Sequence, residues 1–261
     1  MSVLLALITA ALPVNADSWR AVDARLEGKN PSSCLTRFTG YEANGHADRF
    51  VENTNFWLKG IDFSCVSPWN SAGGRQRAGT LISKRHIVFA KHFPFWQGVR
   101  IVFVGEDGGV CPCYIEATKA IEKTDIMIGL LNAEVTPNII PAKLLSKSAA
   151  KRIGSGAGLP VVTFNQHEQA FLTELNPINT NQFFSISSRI PSKDLYRQFR
   201  AKIIVGDSGN PAFLLLDGKP VLVYCLHGGG CGSGPPLHLY RREIQAAMDE
   251  LAPGYRLTDC D

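Results

Sequence analysis

The sequence lacks an internal repeat, a low-complexity tract, a block of like charge and any apolar run long enough to cross a bilayer. The first two absences exclude a solenoid or a disordered array. The third bears on partners: 27 basic residues against 23 acidic ones give a net charge of +4, and they are scattered. Neither nucleic acid nor an anionic membrane is therefore expected as the main partner. The apolar opening from Val3 to Leu12 is far shorter than the roughly 20 residues of a spanning helix, so no membrane span is expected in the mature chain. Metal-ligand spacing is missing too. Cys111 and Cys113 stand one residue apart, but no second Cys-x-Cys or Cys-x-x-Cys pair and no nearby His completes a zinc set. No metal and no cofactor are expected.

What is present is an ordinary globular composition, 45% apolar and 19% charged over 261 residues, enough for one or two packed domains. Val3 to Leu12 fits the apolar core of a signal peptide, and Val14-Asn15-Ala16 offers the small residues of a cleavage site. No Lys or Arg stands near Met1, and a buried N-terminal helix or strand is the alternative. Cleavage after Ala16 would leave a mature chain beginning near Asp17, secreted or periplasmic. Seven cysteines (Cys34, Cys65, Cys111, Cys113, Cys225, Cys231, Cys260) suit an oxidising compartment and disulfides, although the odd count leaves at least one unpaired.

Beyond residue 50 the chain breaks into short runs rich in β-branched and aromatic residues, bounded by Gly, Pro, Asn and Asp. Strands are predicted at Ala78 to Ser83, His86 to Ala90, Val99 to Val104, Ile126 to Leu131, Pro160 to Phe164, Ala170 to Leu175, Ala201 to Val205, Pro211 to Leu216 and Val221 to Leu226. Asp217-Gly218-Lys219 reads as a hairpin turn, and Gly73-Gly74 and Gly108-Gly109 as turns or loops. Many short strands with little helix indicate an all-β fold. One helix is predicted, near the C-terminus, because Ile244, Ala247, Met248 and Leu251 recur at helical spacing. Ser146 to Gly158 reads as the link between two β halves, and residues 17–50 as an extension wrapping the surface.

Three segments carry chemistry. Gly206-Asp207-Ser208-Gly209-Asn210-Pro211 lies between two apolar runs. A serine hydroxyl attacks at neutral pH only if a base takes its proton and donors await the oxyanion. A glycine two residues earlier lets the amides of Gly206 and Ser208 point at one spot. The alternative is a Gly-rich turn with an incidental serine. His92 follows directly on a predicted strand pair, a rigid place from which to present an imidazole. Asp125 heads the apolar run from Ile126 to Leu131, where an acid needs a hydrogen-bonding partner. Each of these two has a plain structural alternative, a satisfied histidine and a strand-capping acid.

Together these segments resemble the chymotrypsin-like serine peptidases, over roughly residues 56 to 252, in the chain order His, Asp, Ser of that family. The resemblance implies two packed six-stranded antiparallel β-barrels with a C-terminal α-helix: residues 1–16 signal peptide, 17–50 extension, 51–150 first barrel, 151–252 second barrel with the helix, and 253–261 tail. It also implies Ser208 as nucleophile, His92 as general base, Asp125 orienting that base, Gly206 and Ser208 as the oxyanion hole, and a protein or peptide substrate. His227-Gly228-Gly229-Gly230 is similar to the pocket wall of bacterial glutamyl endopeptidases, where a His followed by glycines recognises an acidic side chain. Lys202 falls at the pocket floor of the family. Cleavage after Glu or Asp is the implied preference, the alternative being that Lys202 points to solvent and His227 packs beside Asp125.

The pattern is also departed from. Asn210 replaces the usual glycine, Lys91-His92-Phe93 replaces Ala-His-Cys, and Ile204 stands where a cysteine is common. With no Ile-Val-Gly-Gly start before Gly79, Asp207 has no freed N-terminus to pair with; if buried it needs another partner, such as an Arg or a hydroxyl, which the sequence does not identify. An α/β-hydrolase and a non-catalytic secreted binding module are the competing readings. The first is disfavoured by Asn210 and by the lack of a helical pattern after the serine.

Overall fold

The structure, a computed structural model, describes residues 14–40, 50–67, 77–153, 158–177, 186–228 and 232–260. The expected signal-peptide core, the Gly73-Gly74 turn, Gly229 and Cys231 lie outside these. The chain is mostly β, with a six-stranded antiparallel sheet nearly closed into a barrel and a C-terminal helix. Its strands are β1 (Phe38–Gly40), β2 (Val51–Glu52), β3 (Val66–Ser67), β4 (Gly79–Leu81), β5 (His86–Ala90), β6 (Arg100–Val104), β7 (Val110–Ala120), β8 (Ile126–Leu131), β9 (Lys143–Leu145), β10 (Pro160–Phe164), β11 (Ala170–Pro177), β12 (Ile186–Arg189), β13 (Pro211–Leu216), β14 (Lys219–Cys225), β15 (Ser233–Gly234) and β16 (Asp259–Cys260). The helices are α1 (Val14–Leu26), α2 (Pro31–Cys34), α3 (Lys147–Ile153), α4 (Asp194–Arg197) and α5 (Arg241–Leu251).

The first sheet runs β3-β4-β5-β8-β7-β6, all antiparallel. The Ser67 hydroxyl donates to the Val102 carbonyl and ties the two edge strands, β3 and β6, towards closure. β7 shows why a sheet with one wet face reads as alternation: Cys111, Cys113 and Ile115 are buried, while Pro112, Tyr114 and Glu116 between them are exposed. The second sheet has eight strands, β15-β12-β11-β10-β13-β14-β9-β16, rather than six antiparallel ones. Its short strand β9 pairs in parallel with both β14 and β16. Residues from both sheets share one apolar core. Phe63 meets Phe164 and Phe213 edge-on at 5.1 and 5.3 Å, and the Trp57 indole donates to the Ala170 carbonyl at 2.6 Å.

Several expectations are corrected. Ala201 to Val205 forms no strand: the Ile204 amide donates to the Asp207 carboxylate at 2.7 Å instead of to a ladder, and Val205 is 90% exposed. The segment read as a link, 146–158, contains α3. Described residues of the expected N-terminal extension do not merely wrap the surface. In α1, Val22 and Leu26 are buried, Trp19 stacks on Tyr196 at 4.5 Å and donates to the Gly158 carbonyl. Arg37, 8% exposed, donates to the Phe63 and Gly105 carbonyls and to Glu106.

Other features match the sequence. β5, β8, β10 and β13 have the predicted bounds. Asp217 and Gly218, with φ of +50° and +72°, form the two-residue turn that joins β13 to β14. Ile244, Ala247 and Met248 of α5 are buried. No helix among the described residues is long and apolar enough to cross a membrane. The expected disulfides, by contrast, are not found among the described residues: the six described cysteines are free thiols, with Cys111 Sγ and Cys113 Sγ 3.9 Å apart.

Candidate active site

The first half of the site is a consequence of strand register. β5 and β8 pair so that Ala90 faces Ile126, and the Lys91 amide adds one more rung by donating to the Asp125 carbonyl at 2.9 Å. His92 and Asp125 therefore leave the sheet side by side from the same end. Asp125 Oδ1 accepts the His92 backbone amide at 2.9 Å, and Oδ2 lies 2.7 Å from His92 Nδ1. A carboxylate only accepts, so Nδ1 carries the proton and Nε2 presents its lone pair. That lone pair points at Ser208 Oγ, 2.8 Å away.

The second half stands at the matching end of another antiparallel pair. β13 and β14 begin and end at Pro211 opposite Cys225, and the ladder continues as Gly209 N to Leu226 O and Leu226 N to Asn210 O, both 2.8 Å. Ser208 precedes this hairpin and His227 follows it. The serine is succeeded by a strand, not a helix, so the strand–turn–helix of a nucleophile elbow is absent.

The loop before Ser208 is held by Asp207, 1% exposed. The partners that the sequence left open are amides, neither an Arg nor a hydroxyl. Asp207 Oδ2 accepts from Ile204 N at 2.7 Å, and Oδ1 from Gln166 N at 3.0 Å and Gln166 Nε2 at 3.2 Å. These donors satisfy a buried carboxylate without a cation. Asn210 is fully buried, and its backbone and side-chain amides both donate to the Asp207 carbonyl, which accounts for a residue larger than glycine there. Gly206 (φ +104°) and Gly209 (φ +88°) occupy backbone that L side chains avoid, and a Cβ on Gly209 would lie 2.8 Å from the Ala78 carbonyl. Among the described residues, the Gly206 and Ser208 amides donate to no protein acceptor.

His227 is brought to the site, but to Asp125: its Nδ1 lies 2.6 Å from Oδ2, the oxygen that His92 also uses. Its backbone amide and that of Gly228 donate to the Ser233 carbonyl. Lys202 is exposed. The cleft beside Asp125 is lined by Lys91, His92, Lys123, Thr124, His227 and Pro235, without Lys202. Sequence reasoning missed Gln166, Lys91 and Lys123. Nothing marks Gln166 in advance, because its backbone amide does half its work.

Two buried titratable groups flank the site elements. His86 on β5 has no exposed surface, and burial pulls its imidazole down to about 4, while its Nδ1 pairs with Ser83 Oγ at 2.8 Å. Glu168 belongs to the same turn as Gln166, with φ +61°. Both its oxygens are buried without a partner among the described residues, and burial pushes its carboxyl up to about 10.

A serine hydroxyl on an imidazole, that imidazole on a carboxylate, and two unclaimed amides beside the serine can together deprotonate an alcohol and stabilise an oxyanion. No protein-family model matches the chain and no curated protein matches it, so the functional reading rests on this geometry.

Proposed function

We propose that the protein is a secreted serine endopeptidase of the chymotrypsin-like, two-barrel type. The observation that carries this reading is the unbroken line from Ser208 Oγ through His92 to Asp125, at 2.8 and 2.7 Å, beside the unclaimed Gly206 and Ser208 amides. Ser208 attacks the scissile carbonyl as His92 Nε2 takes the hydroxyl proton. The amides of Gly206 and Ser208 bind the resulting oxyanion, and the imidazolium is stabilised by Asp125. Collapse of the tetrahedral intermediate releases the amine, protonated by His92, and leaves an acyl-enzyme on Ser208. Water, deprotonated by the same imidazole, then frees the acid.

Lys91 and Lys123 line the cleft beside His92 and Asp125, which supports an acidic rather than a basic substrate side chain there. The test is hydrolysis of a mixed peptide library by the purified chain and by Ser208→Ala. The wild type should cleave and the variant should lose roughly 10⁴ to 10⁶ in rate. Matched peptides with Glu, Lys, Phe or Ala before the cleaved bond read the preference. Equal turnover by Ser208→Ala, with the fold intact, would remove the assignment, and absence of cleavage by either protein would favour a binding module on this fold.

A further inference from the structure

Peptide hydrolysis asks for one imidazole on Asp125, yet two imidazoles converge on the same carboxylate oxygen. We propose that His92, Asp125 and His227 form a binding site for one divalent cation of the zinc type. The consequence for catalysis rests on the peptidase reading: a cation bound there disables the base.

The three residues each bring a ligand atom within 4.8 Å of the others, and the ligands we assign are His92 Nδ1 and His227 Nδ1, 2.7 and 2.6 Å from Asp125 Oδ2, with that oxygen as the third. The two rings stand almost perpendicular, at 89° with centroids 5.3 Å apart, so they approach the shared oxygen from different directions. Zinc takes nitrogen and carboxylate ligands at about 2.0 to 2.2 Å, and tetrahedral geometry spaces them about 3.3 Å apart. Each imidazole must therefore withdraw by roughly 0.7 Å from its present hydrogen bond to admit the ion. The side chains of His92 and His227, 44% and 48% exposed at the edge of an open cleft, have room to do so. Asp125, 13% exposed, is held by the second hydrogen bond from the His92 amide, an outer contact of the kind that orients metal carboxylates.

Two imidazoles and one carboxylate favour zinc over calcium or magnesium, which take oxygen ligands in larger number. Three protein ligands leave a fourth position open to water, as in an accessible rather than a closed site. Lys91 and Lys123 on the same cleft repel a cation and make the binding reversible rather than structural.

The cation and the base exclude each other through tautomerism. Binding at Nδ1 moves the proton of each neutral imidazole from Nδ1 to Nε2 through solvent. His92 Nε2, facing Ser208 Oγ, is then a donor and can no longer accept the hydroxyl proton.

The experiment is a calorimetric titration of Zn²⁺, with Mg²⁺ as control, into the full chain, Ser208→Ala and His227→Ala at neutral pH in a non-chelating buffer. The expected result is one zinc ion per chain in the first two, no magnesium binding, and more than about a hundredfold weaker zinc binding by His227→Ala. Co²⁺ in place of Zn²⁺ should give a visible tetrahedral spectrum in wild type that His227→Ala lacks. No zinc binding, or undiminished binding by His227→Ala as the Cys111–Cys113 pair would give, overturns the site. In the hydrolysis assay, zinc should inhibit at the concentration that fills the site, and a chelator should restore the rate. Undisturbed hydrolysis with the site full overturns the mutual exclusion. Zinc binding by a chain that hydrolyses nothing supports the site and counts against the peptidase reading instead.

Discussion

The two strand pairs that build the site work by different means. At the end of β5 and β8, regular pairing does nearly everything: the ladder runs one rung past Ala90, and His92 donates its own amide to the acid that orients its ring. At the end of β13, the chain leaves regular structure through two glycines of positive φ and a buried aspartate cradled by three amides, two of them from Gln166 in the turn between β10 and β11. The difference follows from the tasks that the proposed mechanism gives the two ends. A base has only to be held at the right place, whereas a nucleophile of this kind must also have two backbone amides aimed at the oxygen it creates. Aiming main-chain groups takes backbone conformations that a strand cannot supply.

That contrast is sharpened by variants that strike one end at a time. Asp125→Asn keeps the shape of the first end but lets the imidazole carry its proton on the wrong nitrogen, and should lower peptide turnover by about 10⁴. Gly206→Ala should cost about 10² to 10³ in turnover, because the amides lose their aim at the oxyanion while His92 keeps its partners. Steady-state rates of both folded variants check the order. A larger loss from Gly206→Ala than from Asp125→Asn would break the comparison. Gln166→Ala removes one of three donors to Asp207 and leaves its backbone amide in place, so its effect should be tenfold or less, read in turnover rather than in substrate affinity.

The two sheets also differ in how pH should reach them. His86, buried neutral in the first sheet with its value lowered to about 4, takes up a proton more readily unfolded than folded. Its contribution to stability is present above about 6.5 and is lost as pH falls towards 4. Glu168, in the turn of the second sheet, keeps its proton folded up to about 10 but ionises unfolded near 4.5. Its contribution is present at low pH and is lost as pH rises through that window. Melting temperatures should therefore fall on the alkaline side in wild type and fall less in Glu168→Gln. A wild type and variant with parallel melting curves from pH 6 to 9 would contradict this assignment of the buried acid.

Much of this molecule was legible in the sequence where one physical signal dominated. Continuous apolar runs such as Ile126–Leu131 and Pro211–Leu216 have no other good use than a buried strand, and the helix at Ile244 to Leu251 has a clear stripe. Val110–Ala120, the longest strand, was missed because its alternation is carried by Cys and Pro as much as by β-branched residues. Ala201 to Val205 has strand composition, but a side chain three residues further on captures its amide, a tertiary effect invisible to local pattern. The parallel partner β9 is three residues long and leaves almost no trace. At the site, His92, Asp125 and Ser208 could be read because each sits at the edge of a strong strand signal. The direction of the His227 ring was left open by sequence, and it is settled by the turn that pins its amide to Ser233.

The central claim is that Ser208 is a hydroxyl made nucleophilic by His92. The most direct measurement is labelling with a fluorophosphonate probe, read by intact mass and by mapping the modified peptide. Wild type should gain one adduct, on Ser208, and Ser208→Ala and His92→Ala should gain none under the same conditions. A wild-type chain that stays unlabelled, or an adduct on a different serine, would contradict it.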